Sequence, residues 1–88
     1  HCAAWQGSAA CMTALLRHPH AARLIEVRDA THGATPLGWC CHGAEHCGRA
    51  HADHPAVARL LLEAGARPPD GWANAPERVR AVIASHGR

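Results

Sequence analysis

The sequence predicts an all-α fold built from short helical hairpins that stack side by side. Gly33 supplies the positive φ that a tight turn needs, and Pro36 fits the first turn of a helix, where its missing N–H costs nothing. Further along, residues 57–64 carry apolar side chains at helical spacing, and Gly65 stands where such a helix ends. The start of the chain looks like the same order of elements entered partway. Turn, helix, second helix and terminal glycine together describe one stackable unit.

Apolar spacing and the start and stop signals predict five helices, over residues 2–6, 8–18, 36–42, 55–64 and 75–86. Ser8 is the expected N-cap of the second helix, and Pro55 is the expected first residue of the fourth. Asn74 followed by Glu77 predicts a capping box at the start of the last helix. Residues 19–34 connect the first pair to the second, with a short apolar turn expected at Leu24 and Ile25.

The three longer helices each have apolar residues three and four positions apart, which predicts one buried stripe per helix. The stripes are Cys11, Met12, Leu15 and Leu16, then Val57, Leu60, Leu61 and Ala64, and finally Val79, Val82 and Ile83. The last helix also carries a polar face made of Arg78, Arg80, Ser85 and His86. A polar outer face is typical of the end unit of a stacked array.

This order of residues resembles the ankyrin repeat, which runs from a loop with Asp and Gly through Thr-Pro-Leu-His to a leucine-rich second helix ending in glycine. One copy matches at Asp29, Gly33, Thr35, Pro36, Leu37 and residues 60–66. An earlier copy matches at His1 (the motif histidine), Ala3 and Ala4 (the paired alanines), Gly7, Leu15 and Leu16. The resemblance implies an ankyrin-like helical-hairpin solenoid with a hairpin loop between repeats.

The two copies divide the chain into a single ankyrin-repeat domain, 1–88. We assign residues 1–28 to a partial first repeat, 29–66 to a second repeat and 67–88 to a C-terminal capping helix. The paired small residues lie 37 positions apart and the leucine pairs 46 apart, so the second copy holds nine extra residues between its helices. This insertion is placed at 44–53. Because the chain begins inside the motif without methionine, we expect it to be part of a longer repeat array.

Four features depart from the family pattern. Gly38 replaces the motif histidine and so removes the side chain that ties neighbouring loops. Cys40 and Cys41 replace the paired alanines, a tolerable change because buried cysteine behaves as a small hydrophobe. Pro19 stands where the first copy should end in glycine, and the hairpin loop from Asp29 to Gly33 is one residue longer than usual.

Charge and composition narrow the classes of partner. Nine arginines against seven acids leave a net charge of only +2, too weak to argue for nucleic acid or an anionic membrane. No apolar run approaches the roughly 20 residues of a membrane span, and no secretory signal pattern opens the chain. Reduced cysteines and an intracellular location are the expectation.

Five cysteines and nine histidines are a high density for 88 residues, and seven of them fall within 40–54. Cysteine and histidine are ligands of zinc and copper, yet the spacing matches no closed pair of C-x-x-C motifs. We favour an interpretation without metal or cofactor, in which Cys2, Cys11, Cys40 and Cys41 pack in the core and the histidines are solvated. Two alternatives remain open: a zinc-binding loop organiser that uses His46, Cys47 and His51, and a redox-sensitive thiol at Cys47.

No catalytic constellation is evident. Cys47 and His51 could be paired as nucleophile and base, but neither an orienting carboxylate nor an oxyanion donor accompanies them, so we predict that the protein is not an enzyme. The resemblance implies a protein-binding module that contacts an unidentified partner through a concave surface. That surface would include Trp5, Gln6, Ala30, Thr31, His32, Ala34 and His42. Since histidine is the only titratable side chain among them, we expect contact mainly by shape and apolar area.

Overall fold

The computed structural model describes residues 1–28, 30, 33–46, 52–69 and 72–86, and every regular element in these ranges is helical. The elements are α1 (Cys2–Gln6), α2 (Ala9–Leu16), α3 (Ala21–Leu24), α4 (Pro36–His46), α5 (His54–Glu63), a 3₁₀ turn (Trp72–Asn74) and α6 (Glu77–His86). The predicted all-α class is confirmed for the described residues.

The helices form two adjacent pairs and an end unit. Helix α1 packs on α4, α2 packs on α5, and α4 packs on α5 within the second pair. Helix α6 and the 3₁₀ turn contact each other, and α6 packs on α5. The core that these contacts enclose comprises Ala4, Met12, Ile25, Leu37, Cys40, Val57, Ala58, Leu61, Leu62, Ala66, Ala75, Val79 and Ile83.

Helices α1 and α5 end in the same way. Gly7 has φ 67° and Gly65 has φ 104°, backbone conformations that favour glycine because it has no Cβ. In both cases the N–H of the residue after the glycine donates to the carbonyl five residues earlier, at 3.1 Å after Gly7 and 3.0 Å after Gly65. This hydrogen bond satisfies a carbonyl that the end of a helix leaves unpaired. The expected role of Gly65 as a helix stop is confirmed.

Side-chain hydrogen bonds cap the starts of α2, α4 and α5, and some of the capping residues are the predicted ones. The Ser8 hydroxyl accepts from the Cys11 N–H at 3.3 Å, as expected of an N-cap. Helix α4 begins at Pro36, and the Thr35 hydroxyl accepts from the backbone N–H two residues after Pro36 at 3.2 Å. Asp53 immediately precedes α5. Its carboxylate caps the helix, because it accepts a hydrogen bond of 3.1 Å from the Ala56 N–H.

Several predicted boundaries were wrong. Helix α2 ends at Leu16 instead of residue 18, and α6 begins at Glu77 instead of residue 75, with Asn74 in the preceding 3₁₀ turn. Helix α4 continues to His46 instead of stopping at residue 42. The first part of the predicted insertion is therefore helical, and its residues 47–51 lie outside the described ranges. Tertiary packing of α4 against α1 supports this longer helix in spite of its two glycines.

Two predicted stripes also need correction. In α5 the buried residues are His54, Val57, Ala58, Leu61 and Leu62, whereas Leu60 is half-buried and Ala64 is exposed at the helix end. The buried side is broader than one stripe because α5 contacts α2, α4 and α6 at once. In α2, Met12 is buried and Leu16 is half-buried, but Cys11 and Leu15 are exposed, since α5 covers only one side of that helix.

Helices α1 and α4 approach each other closely at Gly43. A methyl group on Gly43 would overlap the carbonyl oxygen of Trp5, so glycine is the residue that this contact tolerates. The buried His54 ring donates from Nε2 to the same carbonyl oxygen at 2.8 Å, since a carbonyl can only accept. The Asp53 N–H donates to the carbonyl of Gly7 at 2.7 Å. Backbone contact and two hydrogen bonds thus join the first pair to the second.

The two glycines of α4 lead to opposite predictions for alanine substitution. A Cβ at Gly38 would meet Ala34, Thr35 and Pro69 at ordinary distances of 3.5–3.7 Å. We expect Gly38→Ala to raise the free energy of unfolding by up to about 1 kcal/mol through helix propensity. We expect Gly43→Ala to lower it by about 1–3 kcal/mol because of the overlap with α1. Urea unfolding followed by circular dichroism measures both, and equal effects of the two substitutions would contradict the packing described.

Candidate partner-binding cleft

A cleft of about 600 Å³ lies between the connection before α4, one side of α4, and the segment that leads into the 3₁₀ turn. The described residues that line it are Glu26, Arg28, Gly33, Ala34, Thr35, Gly38, Trp39, Cys41, His42, Glu45, Arg67, Pro68, Pro69, Trp72, Asn74 and Ala75. Residues from three separated parts of the chain therefore meet at one site. A volume of this size is within the range of ligand-binding clefts.

The small residue at Gly38 contributes to the open space. At His1, the predicted motif histidine, Nε2 lies 2.9 Å from the carbonyl oxygen of Val27 and 3.1 Å from that of Ala34. The imidazole thereby connects the start of α1 to both sides of the following loop. Gly38 has no side chain to make the equivalent connection towards Pro69, where a Cβ would make only van der Waals contact.

An aromatic cluster joins α1 to the wall of the cleft. The ring centroids of Trp5 and Trp39 lie 5.5 Å apart in an edge-to-face arrangement, with planes inclined by 81°. His42 lies 5.3 Å from Trp5 and 6.2 Å from Trp39, measured between ring centroids. Such edge-to-face pairs stabilise beyond their buried area. Both tryptophans are half-buried, so each ring packs in the cluster and remains partly accessible.

The charged side chains at the cleft balance one another. Arg28 donates from Nη1 to the carbonyl of Gly33 at 2.8 Å and so closes the base of the loop between them. The Glu26 carboxylate accepts from the backbone N–H of Arg67 at 2.7 Å, which links this connection to the segment after α5. With Glu45 as the second acid, the described lining has two carboxylates and two guanidinium groups. A weakly charged ligand suits this balance better than a highly charged one.

The structure brings part of the predicted contact surface together. Ala34 and His42 line the cleft, and Trp5 contacts His42 from α1. Gln6 is exposed at the end of α1, and Ala30 is exposed in the loop. The remaining predicted residues, Thr31 and His32, lie outside the described ranges.

The predicted contact surface includes neither of the two tryptophans that line the cleft, Trp39 and Trp72. Trp39 precedes the predicted residue His42 by three positions on α4, so helical spacing alone could have assigned both to one face. No spacing to a predicted contact residue indicated that Trp72 lies at the cleft. It reaches the cleft because α6 packs on α5 and carries the 3₁₀ turn with it, which is a tertiary effect.

The cysteines of α4 are protected thiols. Burial raises the pKa of Cys40 far above its ordinary value, and the Cys40 thiol donates to the carbonyl of His54 at 3.2 Å. Burial also raises the pKa of Cys41 from 9.0 to about 11. Both side chains therefore stay protonated at neutral pH, and a thiol is a poor nucleophile and metal ligand. Cys2 and Cys11 are exposed, so the expectation that they pack in the core was wrong.

The metal-binding alternative concerns residues that lie mostly outside the described ranges. Within those ranges, no three His, Cys, Asp or Glu side chains gather into a possible metal site. Cys47, His51 and the side chain of His46 are not among the described groups. The zinc hypothesis therefore stays a prediction.

No family model matches the chain, and neither a curated protein nor a solved structure is significantly similar to it. In the part of the chain that the structure describes, no helix is both long and apolar enough to cross a membrane. The function must therefore be argued from the cleft and its chemistry.

Differential thiol reactivity tests the burial of the α4 cysteines. In a Cys47→Ser background we expect iodoacetamide at pH 8 to modify Cys2 and Cys11 readily, because both are exposed. Cys40 should react at least about 100-fold more slowly, since its modification requires opening of the fold, whereas Cys41, which is half-buried and lines the cleft, should be slowed only by its raised pKa. Intact-mass spectrometry counts the modified thiols, and urea should make all four reactive. Labelling of Cys40 as fast as Cys11 would contradict its burial.

The same burial predicts a loss of stability at alkaline pH. Above pH 9.0 the thiols of the unfolded chain lose their protons, whereas Cys41 keeps its proton until about pH 11 in the folded chain. The unfolded state then binds fewer protons, so the free energy of unfolding decreases as the pH rises through this interval. Urea unfolding at pH 8–10.5 measures the slope. Cys41→Ala should make the slope shallower, and an unchanged slope in this variant would contradict the assignment.

Proposed function

We propose that this chain is an ankyrin-type interaction module that binds a protein partner at the cleft. The observation that carries the proposal is the meeting of Ala34 and His42 with Trp39 at one site, because the resemblance assigns the first two to a contact surface. The proposed contact surface also includes Trp5, which packs on Trp39 and His42. Half-buried aromatic rings are common anchors in protein interfaces.

The arrangement of helices supports the ankyrin-type part of the proposal. Helices α1 and α4 hold corresponding positions in the two copies of the motif, and they are neighbours, as are α2 and α5. His1 connects α1 to the connection before the next pair through the carbonyls of Val27 and Ala34. Lateral stacking of like helices, with ties between successive loops, is what a repeat array requires. We assign α6 to the end unit of this proposed array.

The chemistry of the cleft favours binding over catalysis. Its thiol, Cys41, is held protonated by burial, so it does not supply a ready nucleophile. The balanced charges of Glu26, Glu45, Arg28 and Arg67 favour a partner segment with little net charge. We propose that an apolar or aromatic side chain of the partner enters between Trp39 and Trp72, and that polar groups at the rim orient it. An enzymatic role is not proposed.

Affinity capture with matched variants tests this function. The wild-type chain, immobilised as bait for an extract of the source cells, should retain a specific protein. The double variant Ala34→Glu/His42→Glu should weaken retention at least about tenfold, because it places two uncompensated negative charges on the cleft wall. Arg78→Glu is the control, since Arg78 is exposed on α6 and does not line the cleft.

The comparison reports on binding when the double variant has the same helix content and melting temperature as the wild type. Equal retention of the partner by both chains would then assign binding to another surface. Metal analysis of the same wild-type preparation addresses the zinc alternative. Stoichiometric zinc, together with a lower melting temperature after treatment with a chelator, would favour the metal-organised loop instead.

A further inference from the structure

Helix α2 is apolar around its whole circumference. Seven of its eight residues are apolar, and the hydroxyl of the exception, Thr13, donates to the carbonyl of Ala9 at 2.8 Å. Helices of this composition are normally covered on all sides. Helix α2 is covered only on the side of Met12, which is 4% exposed, whereas Leu15 is 56% exposed. The composition of α2 therefore predicts a further packing partner on its exposed side, and the described residues do not include one.

The exposed residues of α2 form one continuous strip. At 100° per residue, Ala10, Cys11, Ala14 and Leu15 lie on the side of the helix opposite Met12 and Leu16. All four are exposed. Because α5 packs on the covered side, the strip faces away from the second helix pair.

Two more apolar side chains adjoin the first helix pair. Leu24 is 57% exposed and Val27 is 43% exposed, and they belong to one turn, since the Val27 N–H donates to the Leu24 carbonyl at 3.2 Å. Helix α3, which ends at Leu24, packs on α2. We call Ala10, Cys11, Ala14, Leu15, Leu24 and Val27 the N-terminal face. Leu15, Leu24 and Val27 are the large hydrophobic side chains that are exposed among the described residues.

Later helices expose a different chemistry. The residues of α5 on its solvent side include Arg59 and Glu63, and those of α6 include Arg78 and Arg80. These polar surfaces are typical of helices that end in solvent. Among the described residues, the exposed large hydrophobic side chains thus all lie within residues 1–28, and in this respect the N-terminal face differs from the surfaces of α5 and α6.

Positive charge accompanies the N-terminal face. Residues 1–28 contain Arg17, Arg23, Arg28 and one acid, Glu26, which gives the segment a formal charge of +2. This equals the net charge of the whole chain, so the remaining residues are balanced. Arg17 at the end of α2 and Arg23 on α3 are exposed and lie outside the cleft, whereas Arg28 and Glu26 line the cleft. The N-terminal faces of two copies of this chain would repel each other because both are positively charged. The surface of α6 also exposes arginines, so it is not complementary to the N-terminal face either.

We propose that the N-terminal face docks an amphipathic α-helix of a separate partner protein, with an apolar stripe against α2 and acidic residues beside Arg17 and Arg23. The helix would lie along α2 as α5 does on the opposite side, and so would complete the cover that an all-apolar helix requires. This site is distinct from the cleft. Its recognition combines apolar burial with charge complementarity, which sets partner choice more than affinity.

Synthetic helical peptides of about 20 residues provide the probe. One carries a Leu/Ala stripe flanked by Glu, a second carries the same stripe flanked by Lys, and a third has Ser in place of Leu with the Glu flanks. Fluorescence anisotropy measures binding to the folded chain. Cys11 is an internal reporter, since its thiol lies on the N-terminal face and its alkylation can be followed in a Cys2→Ser/Cys47→Ser background.

We expect the Glu-flanked Leu/Ala peptide to bind, to slow alkylation of Cys11, and to lose affinity as salt rises. Leu15→Glu and, as a milder change, Leu15→Ser should weaken this peptide at least about tenfold. Arg23→Glu should shift the preference towards the Lys-flanked peptide. Arg78→Glu, on α6, and the double cleft variant Ala34→Glu/His42→Glu should bind as the wild type does, so failure here is distinguishable from failure of the cleft proposal.

Three outcomes would overturn the proposal. The first is absence of Cys11 protection by the acidic peptide, or equal binding of the Glu-flanked and Lys-flanked peptides. The second is a dimer in sedimentation equilibrium that Leu15→Glu dissociates, which would assign the face to a second copy. The third is protection of Cys11 within a longer polypeptide that contains this chain, which would assign the face to that polypeptide's own helices.

Discussion

The close contact of α1 with α4 is the constraint on which the other features of the fold depend. Gly43 lets the backbone of α1 lie directly against α4, and the buried ring of His54 donates to the Trp5 carbonyl at the same junction. That hydrogen bond satisfies a backbone acceptor at the end of a five-residue helix that could not persist alone. The first helix pair is therefore held by backbone proximity and directed polar contacts as much as by apolar burial.

This junction also positions the cleft. With α1 against α4, Trp5 meets Trp39 and His42, and the three rings form a wall whose orientation is set by both helices. The absence of a side chain at Gly38 then leaves space beside that wall. The same burial that rigidifies α4 raises the pKa of Cys41 and Cys40, which makes the thiols of this helix packing groups instead of reactive ones.

The two ends of the stack differ in chemistry, and the difference follows from which helices have neighbours. Helix α6 presents charged residues to solvent, whereas α2 presents Cys11 and Leu15. Predicted stripes included both residues as buried, because spacing identifies apolar faces without showing whether anything covers them. The same limitation explains Ala64, which continues the spacing of α5 but lies at its exposed end.

Local signals were sufficient for the all-α class, for the start of α4 at Pro36, and for the helix stop at Gly65, because turns and caps depend on backbone geometry within a few residues. The family resemblance predicted a contact surface that includes Ala34 and His42, and both residues line the cleft. Only the tertiary structure decided how far α4 extends, that Trp72 reaches the cleft, and that the cysteines of α1 and α2 face solvent. Those outcomes depend on contacts between segments remote in sequence, which neither spacing nor propensity encodes.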